Sequence, residues 1–152
     1  MANPFDPRTV LLARHAQHVV FVHFPIALFL TGTLFDLAAK QTKRAALTQA
    51  AHLNIVAAAI FAIPTLVTGL IAWRWQLEGA KLTGVLLLHL IFAGTAAILI
   101  CWLAWLRHRK AAGSKAGAEL PGHLIALELL TALCLAAAAH LGGVVSGVTS
   151  LG

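Results

Sequence analysis

Four long apolar runs dominate the chain and narrow its fold more than any other feature. They begin near His18, Thr48, Leu82 and Leu120 and end near Ala39, Trp73, Leu106 and Val145. A hydrocarbon core of about 30 Å is crossed by about 20 apolar residues in helical form, so each run is long enough to span a bilayer. The sequence predicts an all-α, four-helix transmembrane bundle with spans at about 18–39, 48–73, 82–106 and 120–145, in one domain covering 18–147. Residues 1–17 carry Asp6, Arg8, Arg14 and His15 without an uninterrupted apolar core. They read as a tail and surface segment without the pattern of a cleaved signal.

Charge usage supports this reading. With 60% hydrophobic and 11% charged residues the composition is not that of a soluble domain. The net charge of +6 comes from 11 basic residues set against five acidic ones. Those basic residues cluster between the apolar runs and not along one helix face, which suits headgroup contact and topology setting and excludes a nucleic-acid role. The segments after spans one and three hold Lys40, Lys43, Arg44, Arg107, Arg109, Lys110 and Lys115. Only Arg8, Arg14, Arg74 and Lys81 lie on the other side. Seven against four places both termini outside, in the periplasm of a bacterial inner membrane, as a multi-pass protein.

Within the spans, Pro64 and Gly69 interrupt the second, and Pro64 should kink it. Trp73 and Trp75 close that span at interface depth, as Trp102 and Trp105 do for the third. Gly142, Gly143 and Gly147 allow close helix approach or a fraying end. Cys101 and Cys134 fall in apolar runs without CxxC spacing and read as small hydrophobes.

The eight histidines carry the functional signal, because intramembrane ionisable groups are costly unless paired. At about 1.5 Å of rise per residue, His15, His18, His23, His89 and His140 gather toward the outer leaflet. His52 and His123 lie near the inner ends of spans two and four, and His108 belongs to the basic loop. His89 is the hardest to explain as mere interface chemistry, lying deep in LTGVLLLHLIFAGTAAILI. Imidazoles from facing helices are the usual axial ligands of b-type haem, and His23 and His89 lie at compatible depths on different helices. A second pair, His52 with His123, would hold another haem near the inner face. Glu128, about two turns into span four, should be neutral or paired, with Asn54 or His52 as its expected partner or with a proton-delivery role. Asp36 and Lys40, four residues apart, form an expected interface pair.

The segment RHAQHVVFVHFPIALFLTGTLFDLAAK resembles the start of the bacterial domain-of-unknown-function 2231 membrane family. The resemblance falls on His15, His18, His23, Phe24, Pro25, Ile26, Ala27 and Asp36, and further on Thr68-Gly69, the leucine-rich approach to His89, and Gly142-Gly143. The chain departs from the family pattern at Ala16 and Val19, where prolines are expected, and at Ala72, where an aspartate is. The resemblance implies a four-helix membrane fold and no established activity. Related domains joined to Rieske-type modules lean it toward electron transfer.

Three functions follow as expectations. The first is an electron-transfer subunit binding one or two b-type haems, with His23 and His89 as one ligand pair and His52 and His123 as the other. It would link the quinone pool to a membrane or periplasmic redox partner. The second is a cofactor-free anchor subunit of a larger complex, suited by the alanine-rich stretches AALTQAAHLNIVAAAI and TALCLAAAAHLGG. The third is copper or zinc binding at the outer face by His15, His18 and His23, with His89 and His140 nearby. His23 is rotated about 140° from His18 on one helix, so a common site needs the helix to begin between them. Hydrolytic or group-transfer catalysis finds no motif.

Overall fold

The computed structural model describes residues 14–113 and 120–148. Four helices follow in chain order: α1 (Arg14–Thr42), α2 (Ala45–Trp75), α3 (Gly84–Gly113) and α4 (Gly122–Val145). All four are long and apolar enough to cross a membrane, and among the described residues there is no strand. Two boundaries differ from the sequence reading. α1 begins at Arg14, so the last residues of the expected tail are already helical. α3 continues through the first part of RHRKAAGSKAGAELPG to Gly113. Hydropathy ends a span where charge begins, but a helix continues as long as its charges find partners or solvent.

Two hairpins make the bundle. α1 packs mainly on α2 and α3 mainly on α4, while α2 also meets α3 and α1 also meets α4. The α1–α2 connection is only Lys43 and Arg44, with Lys43 in the left-handed region at φ 58°. The α2–α3 link turns through Glu78 and Gly79, both at positive φ, and the Trp73 indole closes it by donating to the Ala80 carbonyl at 2.9 Å. The starts of α1 and α3 share one end of the bundle with the end of α4, here called the termini end. The opposite end, where the α1–α2 and α3–α4 connections lie, is the hairpin end.

The interior is narrow. Phe29, Ile55, Ala58, Ala96, Ile100, Leu103, Leu124 and Leu135 form its apolar core, and alanines bring the helices close. Gly32 does the same against Ile55, since a Cβ there would stand 2.9 Å from Ile55 Cγ1. Many other large aliphatic side chains face outward, with Leu34, Leu53, Ile98 and Leu133 each at least 64% exposed. In water such a surface would be an aggregation liability; against acyl chains it is the expected exterior.

The proline inside α1 is compensated by a threonine of α2. Pro25 has no N–H, so the Phe21 carbonyl one turn earlier has no helical donor. The Thr65 hydroxyl reaches across from α2 to that oxygen at 3.1 Å, shared with its own Phe61 carbonyl at 2.8 Å. Local re-satisfaction of this kind is what lets proline stand in a span. Phe24 and Phe61 stack beside it with centroids 4.7 Å apart.

Candidate functional site

Two polar clusters interrupt the apolar interior, one near each end. At the termini end they are imidazoles. His89 of α3 bonds through Nδ1 to the Ala138 carbonyl of α4 at 2.9 Å, and its ring lies against Gly142, where a Cβ would meet Cε1 at 3.0 Å. His18 of α1 repeats the arrangement on α2. Its Nδ1 is 3.3 Å from Thr68 Oγ1, it also bonds to the backbone of Thr65, and its ring lies against Gly69, where a Cβ would again meet Cε1 at 3.0 Å. His18 also lies within electrostatic range of His89. Each hairpin thus seats one histidine from its first helix on a glycine of its second, with Nδ1 held by an oxygen of that second helix.

At the hairpin end the cluster is ionic. Arg107 of α3 donates from one terminal nitrogen to both Asp36 of α1 and Glu128 of α4, and from Nε to Glu128 Oε1 at 3.2 Å. The three residues are 4%, 2% and 0% exposed, so the ions are removed from water and lipid alike. Glu128 Oε2 has no hydrogen-bond partner although fully buried. This triad ties three of the four helices at one level, and two carboxylates share one guanidinium.

Several expectations change here. Arg107 is not a loop cation but a buried one. Without it the basic excess near the hairpin end falls to six against four. Asp36 pairs with Arg107 and not with Lys40, and Glu128 pairs with Arg107 and not with Asn54 or His52. Asn54 Nδ2 instead donates to the Ala50 carbonyl of its own helix at 2.9 Å. Arg107 was missed because a charge next to His108, Arg109 and Lys110 looks like the start of a loop. The spacing held a signal. Eighteen residues separate His18 from Asp36 and eighteen separate His89 from Arg107, which is five turns at about 3.6 residues per turn. In each helix the imidazole and the charge therefore share one face. The steps His18-Val19-Val20-Phe21 and His89-Leu90-Ile91-Phe92 mark the same repeat.

The other histidines are placed as follows. His23 is exposed, its Nδ1 turned to the Val19 carbonyl of its own helix. His52 is half-buried, while His123, His140 and His108 are exposed. Nothing joins His52 to His123 among the described contacts, and the triad fills the interior at the hairpin end. The side chain of His15 lies outside the described residues. Among the described residues no three His, Cys, Asp or Glu side chains gather as a metal would require. Cys101 and Cys134 are free thiols, one exposed and one half-buried.

Four long apolar helices packed around a narrow interior define a multi-pass membrane protein. The chain belongs to the DUF2231 family, described as a predicted membrane protein, whose sequence model matches residues 14–152. Comparison with curated proteins gave no match, and comparison with solved structures gave none.

Proposed function

We propose that this protein is a membrane-embedded electron-transfer subunit that holds one b-type haem between His18 and His89, with the exposed His23 taking no part. The observation that carries the proposal is the matched pair of histidine seats. In both, Nδ1 is engaged by an oxygen of the neighbouring helix. That is how an axial histidine is usually oriented, its other nitrogen being freed for the metal. Gly69 and Gly142 keep side-chain bulk away from both rings. When bound, haem would supply one-electron chemistry. The chain's own contribution is to fix two imidazoles at one depth in a low-dielectric interior, within reach of quinone in the bilayer and of a redox partner at the termini end. A second haem on His52 and His123 draws no such support from their placement.

Spectra of protein purified from haem-replete membranes test this. A sharp reduced-state absorption band is expected in the wild type and in His23→Ala, and is expected to disappear in His18→Ala and His89→Ala. A wild type without any haem band, or a band that survives His18→Ala, refutes the assignment. The same seats favour one other reading, in which the rings are interhelical fasteners of a cofactor-free anchor subunit. It predicts that His18→Ala and His89→Ala lower thermal stability while no variant carries a chromophore.

A further inference from the structure

At the hairpin end, a groove of about 560 Å³ opens between α3 and α4 on the outside of the bundle. That size lies within the ~300–1,000 Å³ of ordinary small-ligand sites. It is graded along its length. Arg109, Lys110 and His123 rim it where α3 ends and α4 begins, while Leu106, Leu127 and Trp102 line it toward the membrane interior. Trp102 and Lys110 are eight residues apart on one helix, about 12 Å at 1.5 Å per residue. One end therefore lies at headgroup level and the other among acyl chains.

Among the described residues the charge at the rim has no acid beside it: no carboxylate lines the groove, and Asp36 and Glu128 are held by Arg107. Glu119 of the α3–α4 connection lies outside the described residues. Arg109 stands 4.9 Å over the Trp105 ring, a contact that leaves its charge in place. Lys40 adds another cation, its Nζ reaching to 3.8 Å of where a Cβ on Gly122 would lie. The first turn of α4, which has no side-chain cap, presents the positive end of its dipole beside them. An amphiphile with an anionic head and apolar tails matches both the gradient and the sign. Basic pockets between transmembrane helices are where anionic headgroups bind.

We infer that the α3–α4 groove is a binding site for one anionic phospholipid, its phosphate held by Arg109, Lys110 and His123 and its acyl chains laid over Leu106, Leu127 and Trp102. This inference is independent of any haem. Native mass spectrometry of the protein released from nanodiscs of equal phosphatidylglycerol and phosphatidylcholine content tests it. The wild type should retain one phosphatidylglycerol at least tenfold more than phosphatidylcholine. The Arg109→Gln/Lys110→Gln variant should lose that preference. Leu127→Phe, which fills the groove without touching its charge, should lose the adduct at unchanged net charge. Equal retention of the two lipids by the wild type overturns the inference. So does a preference that persists in both variants. Displacement of phosphatidylglycerol by a neutral quinone, with quinone binding unaffected by the double glutamine variant, overturns it in favour of a neutral ligand.

Discussion

Replacing Arg107 with methionine tests the ion triad directly. The substitution keeps most of the side-chain volume and removes the only counter-charge of Asp36 and Glu128 in the triad. Both carboxylates are then buried with no cation bonded to them, and Glu128 Oε2 already lacks a partner. Removing one member of a buried ionic group costs about 3–5 kcal/mol, because the charge left behind stays desolvated. For a chain of this size about 1 kcal/mol moves the melting temperature by roughly 2–4 °C, so the expected drop is roughly 6–20 °C. Thermal unfolding of detergent-solubilised protein, followed by far-ultraviolet circular dichroism, reads this directly. The decisive comparison is the triple variant Asp36→Leu/Arg107→Met/Glu128→Leu. Replacing a whole buried ionic group by apolar side chains is often neutral or stabilising by about 1–4 kcal/mol, so the triple variant should melt at or above the wild-type temperature. If Arg107→Met melts within about 2 °C of the wild type, the triad does not lock the bundle. If the triple variant is as unstable as the single one, shape and not charge explains the loss.

Other consequences follow from close approaches and from topology. Gly142→Ala should destabilise by about 1–3 kcal/mol through the clash with the His89 ring, whereas Gly94→Ala, with nothing within 4 Å of its Cβ, should be neutral or stabilising by up to about 1 kcal/mol; a melting comparison separates the two. Gly32→Ala meets Ile55 Cγ1 at 2.9 Å and the Ala51 carbonyl at 3.3 Å, and should also cost about 1–3 kcal/mol. Combined with Ile55→Ala it should cost less than the sum of the singles, because the second change removes the clash; strict additivity would mean the helices move apart instead. A C-terminal alkaline phosphatase fusion should be active and a C-terminal fluorescent-protein fusion dark, since both termini are expected in the periplasm. The reverse pattern would show that six basic residues against four do not set the orientation.

Local sequence was enough for the number of helices, their approximate spans and the family. Each follows from about twenty consecutive residues avoiding charge, and that property needs no knowledge of the neighbours. Depth was legible for the same reason, because rise per residue is constant, and so His89 stood out in its leucine run. Rotation about the helix axis was legible only relative to a known inward face. Depth alone put His23 beside His89, yet His23 is exposed and His18, about 140° round the same helix, sits on Gly69 within range of His89. The ionic triad is the clearest case of what tertiary structure decided. Asp36, Glu128 and Arg107 looked like an interface acid, a lone acid and a loop cation. Only packing brings residues 71 and 21 positions apart together. Out of water no charge is stable alone, so the three are buried as a group, and only the arrangement of α1, α3 and α4 determines which charges meet.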